Sequence, residues 1–406
     1  MTSAQVNPKN SLPPLAKSSP NPKASRQKTT VYLDYAATTP LIPDVFAEME
    51  PYLSGFQGNP STLYALGQKA KQALETSRQR IAACLNTTAE TLYFTSGATE
   101  ADNWVIFGLA KARESVGKHI ITTAIEHSAI AEPVRYLEEQ RGYSVTWLPV
   151  NKDGFVSLNT LKQAVRSDTA FVSIIYGNNE IGTLQPVDAI GAFLREKAIP
   201  FHTDAVQVLG KLPIDLQTLP VDYMSLSAHK CYGPRGIGAL YVHPDAVTPS
   251  PLVYGGSQES GLRAGTENVP AAVGFAAALA YCTKNMPLHS NYLRTLQHRF
   301  IETVQANLST AELNGPSDLE KRVPGNVHFS FPPLEGDTLV LKLGMRGISI
   351  SSGSACRSAV IEPSRIVQAL GKPDEIARST ARFSLGYQTT ADGLDYVLSC
   401  LKAIVK

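Results

Sequence analysis

The residues with the greatest chemical potential stand at the ends of short apolar runs. Lys230 closes Met224-Ser225-Leu226-Ser227-Ala228-His229-Lys230, directly after a short buried strand. An amine in that position is desolvated, which lowers its pKa and frees the neutral form as a nucleophile. On its own, the commoner reading is a surface lysine opening the Tyr232-Gly233-Pro234 turn. Asp204 ends the run Ile199-Pro200-Phe201-His202-Thr203. Such an acid either caps the next helix or holds a protonated ring nitrogen. In Phe94-Thr95-Ser96-Gly97-Ala98-Thr99-Glu100, Gly97 permits a tight turn, and Ala98 and Thr99 open a helix. The free N–H groups and dipole at that helix start suit a phosphate, and the plain alternative is an N-cap without a ligand.

Taken together, the three features point one way. A phosphate cradle, an acid and a buried amine at strand ends of one sheet are what pyridoxal 5'-phosphate requires. That cofactor takes a Schiff-base lysine, an acid on its pyridinium nitrogen and an anion site for its phosphate.

The elements that position these residues follow from periodicity. Short apolar runs at 91–94, 119–122, 144–148, 169–175 and 199–203 read as strands. Helical stretches such as 98–112 and 132–140 lie between most of them. Repeated βα units predict an α/β fold, a mostly parallel sheet covered by helices, with ligands at the carboxyl ends of its strands. After about 285 the texture changes to a long amphipathic helix (288 to about 308), turns rich in Gly and Pro, strands at 326–330, 349–351 and 380–385, and a last helix from about 392 to 404. The expected organisation is a disordered extension (1–30), an N-terminal segment packing with the small domain (31–44), a large cofactor domain (45–285) and a smaller α+β domain (286–406).

Composition sets outer limits. The 406 residues carry 37 basic and 35 acidic side chains. Five of the bases and none of the acids lie in the first 30 residues, which leaves 32 against 35 in the body. A near-neutral body argues against a nucleic-acid partner. The longest uncharged apolar stretch, Asn268 to Thr283, contains Pro270 and falls short of the roughly 18–20 residues that span a bilayer, so no membrane partner is expected. The five cysteines (84, 231, 282, 356 and 400) are widely spaced with no CxxC. This speaks against a disulfide framework or a metal centre and for a reducing compartment, cytoplasmic unless residues 1–30 act as an organellar transit peptide. Cys84, Cys282 and Cys400 sit in apolar helical patterns and read as core, as does Cys231. Cys356 lies in the small polar run Ser351-Ser352-Gly353-Ser354-Ala355-Cys356-Arg357-Ser358, where Arg357 favours the thiolate.

These stretches form an ordered set. Tyr32–Pro40 (YLDYAATTP), Gly58–Ser61 (GNPS), Phe94–Asn103 (FTSGATEADN), Glu126-His127-Ser128, Asn178–Gly182 (NNEIG), Asp204–Gln207 (DAVQ), Ser227–Lys230 (SAHK), Gly261–Asn268 (GLRAGTEN), Ser351–Cys356 (SSGSAC) and Arg382–Gly386 (RFSLG) follow one another along roughly residues 31–390. The sequence thereby resembles the cysteine desulfurase family, within the class V aminotransferase group of fold-type I enzymes. The resemblance implies a fold-type I transferase that binds pyridoxal 5'-phosphate, acts as a homodimer, and converts L-cysteine to L-alanine. It also implies that sulfur passes as a persulfide to an iron–sulfur scaffold or other acceptor protein. Selenocysteine lyase, or another carbon–sulfur lyase of the same fold, is the alternative.

It further implies roles for single residues. Lys230 is the Schiff-base lysine, with Ala228 beside it in the same motif. Asp204 keeps the pyridine nitrogen protonated, and His127 stacks on the ring and serves acid–base chemistry. Gln207 and Asn179 bond the ring's phenolic oxygen and the substrate. Ala98, Thr99, Ser227 and His229 hold the phosphate, Thr266 reaches the phosphate of the neighbouring subunit, and Arg382 clamps the substrate carboxylate. Cys356 carries the persulfide, and its 26-residue separation from Arg382 resembles the long-loop branch. Tyr64 and Ser260 depart from residues frequent in the family, which bears on substrate entry and loop closure.

Overall fold

The computed structural model describes residues 30–352 and 362–405. Its first strand, β1 (Val31–Tyr32), is followed by the strands β2 (Leu92–Thr95), β3 (His119–Thr123), β4 (Ser144–Leu148), β5 (Thr169–Ser173), β6 (Phe201–Asp204), β7 (Tyr223–Ser227) and β8 (Gly238–Val242). The last seven form one sheet in the order β2-β8-β7-β6-β5-β3-β4. β3 through β7 run parallel, and β8 is antiparallel to both of its neighbours, β2 and β7. Every residue of β3, β5, β6, β7 and β8 is buried, as expected for a sheet covered on both faces.

Alternation along the strands divides the core. Met224, Leu226, Ala239 and Tyr241 point to one face, together with Phe201, Phe275 and Leu279. Their neighbours Tyr223, Leu240 and Val242 point to the other, with Trp104, Phe171 and Val134. The chain moves from β3 outward to β4 and then returns to the far side of β3 with β5. A crevice therefore opens between the loops that leave β3 and β5, at the carboxyl edge where such sheets bind ligands.

A second apolar cluster, with Leu33, Phe300, Phe329, Phe383 and Val397, fills the C-terminal region. There β9 (Glu312–Leu313), β10 (Asn326–Ser330) and β12 (Thr380–Ser384) form an antiparallel sheet centred on β10, while β11 (Ile348–Ser349) pairs in parallel with β1. One 39-residue helix, Val269–Asn307, joins the two regions. The sequence reading begins this helix at 288. In the structure Pro270 lies in its first turn, where a missing N–H costs nothing, and Pro287 lies inside the helix without ending it. The change of texture near 285 therefore falls within a continuous helix. Its first half packs Phe275 and Cys282 into the large core, and its second half packs Leu293 and Phe300 into the small one.

Arg322 ties the two regions together from the inside. Its guanidinium is fully buried and donates to the carbonyls of Pro316 (2.8 Å), Ile181 (2.9 Å) and Asn314 (2.6 Å) and to Asn326 Oδ1 (3.2 Å). Arg322→Leu would leave several buried acceptors without a donor at once. It should destabilise the protein by about 3 kcal/mol or more, read as a lower midpoint in urea denaturation.

Candidate active site

A cavity of about 440 Å³ opens at the carboxyl edge of the large sheet. Gly97 forms one wall, at φ 155° and ψ 175°, a conformation essentially restricted to glycine. A Cβ there would meet no atom within 4 Å and would project into open space. Gly238 of β8 packs against the same turn, since a Cβ on it would come within 2.8 Å of the Gly97 backbone. Ser96 N donates to Glu100 Oε2 (2.8 Å), and Arg263 binds the same carboxylate through Nε (2.7 Å) and Nη2 (3.0 Å). These bonds fix the start of the helix Ala98–Ala112, so the N–H groups at Ala98 and Thr99 face the cavity.

Opposite this cradle stands Lys230, on a single 3-10 turn after β7. Its Nζ donates to the carbonyls of Ala36 (2.6 Å) and Ala37 (2.6 Å), which come from the N-terminal segment. That segment is held over the amine by several bonds. Thr39 N and Oγ1 donate to the His229 carbonyl (both 3.0 Å), Ala36 N donates to Ser384 Oγ (2.9 Å), and Gln207 Nε2 donates to the Ala36 carbonyl (3.0 Å). Burial, then the charges of Arg382 and Lys211, bring the Lys230 amine down to about 8 against the opposing pull of Asp34 and Asp204. His229 Nδ1 lies 3.2 Å from Thr38 Oγ1, and burial followed by the charges of Lys230 and Arg235 lowers this imidazole to about 4.

Asp204, the last residue of β6, is buried on the cavity floor. Its Oδ1 accepts from Val206 N (2.9 Å), and burial pushes its pKa upward against that bond and the charge of Lys230. His127 caps the helix Ser128–Arg141, its Nδ1 accepting from Ala129 N (3.1 Å). The neutral ring therefore carries its proton on Nε2. Glu126 anchors this loop from beneath. Its Oε1 accepts from Thr123 Oγ1 (2.7 Å) and Ile175 N (3.0 Å), and burial raises it to about 8. Asn178 performs a similar service after β5. Its Oδ1 accepts from Glu180 N and Ile181 N (both 2.9 Å) and its Nδ2 donates to the Ile125 carbonyl (2.8 Å), which presents Asn179 to the cavity. Arg382 of β12 reaches across. Its Nη1 donates to the Asn179 carbonyl (2.9 Å), its Nη2 pairs with Asp34 Oδ1 (2.8 Å), and its buried Nε has no partner.

The structure thus brings Ala98, Thr99, His127, Asn179, Asp204, Gln207, Ser227, His229, Lys230 and Arg382 to one cavity. Ala228 is buried beside it without lining it, Thr266 is exposed and stands apart, and Cys356 lies outside the described residues. Asp34, Ala36, Ala37, Asp102 and Ser351 also line the cavity, although the residue-by-residue reading gave them no part. Asp102 left a signal, being an acid four residues after Ala98 and therefore on the same face of the helix.

The cavity fits a phosphorylated pyridine aldehyde. The cradle supplies anion donors, the amine stands opposite, and the floor acid lacks a cation. Comparison with known proteins agrees. The sequence model of the family Aminotransferase class-V matches residues 31–397. Cysteine desulfurase IscS of Clostridium botulinum is 46% identical over 376 residues, covering 93% of this chain and 94% of that protein. Among solved structures, a NifS-like protein superposes with a TM-score of 0.86 at 35% identity, over 92% of this chain and 99% of its own. One described as SspA in complex with cysteine superposes with a TM-score of 0.77 at 34% identity, over 89% and 100%.

Because Arg382 is the largest charge depressing the Lys230 amine, Arg382→Gln should raise its pKa. Reductive methylation of Lys230 in cofactor-free protein, followed by mass spectrometry, should be half-maximal near pH 8. The midpoint should move to higher pH in the variant.

Proposed function

We infer the chemistry of the cavity from one premise: the chain belongs to the aminotransferase class-V family and, within it, to the cysteine desulfurases. It converts L-cysteine to L-alanine, and the sulfur leaves as a persulfide. Its cofactor is pyridoxal 5'-phosphate. When bound, that group supplies an electron sink conjugated to the substrate α-carbon. The observation that carries our assignment of residues is the depressed Lys230 amine sharing one cavity with Asp204, Arg382 and the Gly97 cradle.

In this assignment Lys230 would hold the cofactor covalently, and its amine would move protons at the substrate α-carbon. Its pKa of about 8 leaves roughly a tenth of the amine neutral at pH 7, far more than an ordinary lysine offers as a base. Asp204, ionised, would accept a hydrogen bond from the protonated ring nitrogen and serve as its counter-ion, and such a cation would bring its raised pKa down again. The Gly97–Thr99 backbone, Ser227 and His229 hold the phosphate. His127 works through Nε2, since Nδ1 is committed to the helix cap. Arg382 receives the substrate carboxylate with Nε and the fork's remaining N–H groups. Gln207 is held by the Ala36 carbonyl and by Lys211 Nζ (3.4 Å), leaving an amide N–H for the ring oxygen.

Cys356 supplies the thiolate. It attacks the substrate sulfur, the new S–S bond forms as the Cβ–S bond breaks, and the electron pair left on carbon is protonated to give alanine. Ser351 lines the cavity and is bonded to the Arg382 backbone (2.7 and 3.2 Å). Cys356 follows Ser351 by five residues, at most roughly 18 Å of chain. Thr266 is exposed, two residues after Ala264, whose N–H donates to the carbonyl of the exposed Val253 (3.4 Å), which suits a surface that completes the phosphate site of a second copy. We assign the acceptor to an iron–sulfur scaffold or similar protein. The location is cytoplasmic, in keeping with the free thiols of Cys84, Cys231, Cys282 and Cys400.

Borohydride should trap the cofactor on Lys230, identified by peptide mapping. Lys230→Ala should lower alanine formation by roughly 10²–10⁴-fold. Cys356→Ala should bind cysteine, with a change in the visible spectrum, but form neither alanine nor persulfide. Desulfuration of cysteine at the native rate by that variant would move the persulfide elsewhere. Selenocysteine, assayed alongside, separates this reading from a selenocysteine lyase, which would form little alanine from cysteine.

A further inference from the structure

Asp102 is the unexplained group of the cavity. It sits one turn into the helix Ala98–Ala112, is 1% exposed, and lines the cavity with Asp204, yet neither of its carboxyl oxygens has a hydrogen-bond partner. Buried polar atoms without partners are rare and costly, so a pair of them in the lining of a ligand cavity needs a reason. The nearest basic group is His202, whose Nε2 stands 3.7 Å from Asp102 Oδ1, too far for a hydrogen bond. His202 cannot supply a charge either. Both its nitrogens face hydroxyls, Ser173 Oγ at 2.9 Å and Ser225 Oγ at 3.0 Å, and burial lowers it to about 3.

The charged groups that act on Asp102 are the acids Asp204, at the end of β6, and Glu126, after β3. Both push its pKa up, as burial does, and only the Ser225 hydroxyl of β7 works the other way. An acid in that setting keeps its proton. It is then a donor as well as an acceptor, beside a single hydroxyl, that of Ser225, which already faces His202 Nε2 at 3.0 Å.

We propose that Asp102 is a positioning residue for the cofactor ring, standing beside Asp204 in the cavity lining as an uncharged carboxylic acid. The proposal rests on the assignment of Asp204 to the ring nitrogen. With Asp102 neutral, one carboxylate faces one pyridinium and the buried floor carries no net charge. With both acids ionised, a second negative charge would remain buried without a counter-ion. Asp102 thereby lets Asp204 be the single charged acid of the floor, and shapes that floor without competing for the ring's proton.

The test measures pyridoxal 5'-phosphate binding to cofactor-free protein by equilibrium dialysis on both sides of neutrality, together with infrared difference spectra. Asp102→Asn keeps the shape and a donor without charge. It should bind within about twofold of the native affinity, with the acid limb of binding at the same pH, and should remove a protonated-carboxyl carbonyl band from the spectrum. Asp102→Ala should bind about tenfold more weakly. A displaced acid limb in Asp102→Asn, or no such band to lose, would show that Asp102 is ionised and overturn the proposal. Native affinity in Asp102→Ala would show that it positions nothing. Asp204→Asn is the separate control. Should it bind the cofactor as tightly as the native chain at every pH, the ring assignment itself fails, independently of Asp102.

Discussion

Charge withdrawn from water must find a partner, and the cavity is built around charges whose partners are only partly supplied by the protein. The Lys230 amine has two backbone carbonyls instead of a carboxylate. Asp204 has one backbone N–H, Asp102 has no hydrogen-bond partner, and the Nε of Arg382 is left over. Each deficit shifts a pKa or leaves a donor unused, and each costs folding free energy. The surrounding architecture holds these side chains in place despite that cost. Five fully buried strands, packed on both faces, fix the ends from which Asp204 and Lys230 emerge. Glu126 and Asn178 anchor their loops through bonds to backbone, so that His127 and Asn179 are held by neighbours that do not line the cavity.

The N-terminal segment illustrates how distant parts of the chain share this task. Residues 33–39 thread between β12 and the 3-10 turn of Lys230, bonding Ser384 on one side and His229 on the other. Tyr35 packs against Gly386, where a Cβ would come within 2.1 Å of its ring. The segment also delivers Asp34 to Arg382. The same seven residues therefore set the charge of the amine, orient Gln207 and occupy one end of the carboxylate-binding guanidinium.

Much of this was legible in the sequence for a physical reason. Strands buried on both faces read as short apolar runs, and a lysine or aspartate at the end of such a run is conspicuous. Lys230, Asp204 and the Gly97 turn were found that way. What escaped was long-range or backbone-mediated. The carbonyls of Ala36 and Ala37 have no side-chain signature, and nothing near residue 36 announces an amine 194 positions away. Gly238–Val242 went unread as a strand because its antiparallel insertion between β2 and β7 breaks the βα rhythm. The helix Val269–Asn307 was read in two parts because proline is a local signal, whereas the cores that hold the helix on either side of Pro287 are not.

The placement of Arg382 completes the physical picture. It belongs to the C-terminal sheet, yet its Nη1 bonds the Asn179 carbonyl on a loop of the large sheet, and its backbone pairs with Ser351, from which the chain leads to Cys356. A carboxylate arriving at Arg382 competes directly with Asp34 for the guanidinium. Release of Asp34 would act on the segment that carries Ala36 and Ala37, and hence on the hydrogen bonds that hold the Lys230 amine. Arg382 and Asp34 also act on that amine in opposite senses, the guanidinium lowering its pKa and the carboxylate raising it. Arg382 and the Lys230 amine are in this way joined by one ion pair at Asp34, a short run of chain and the two carbonyls of Ala36 and Ala37.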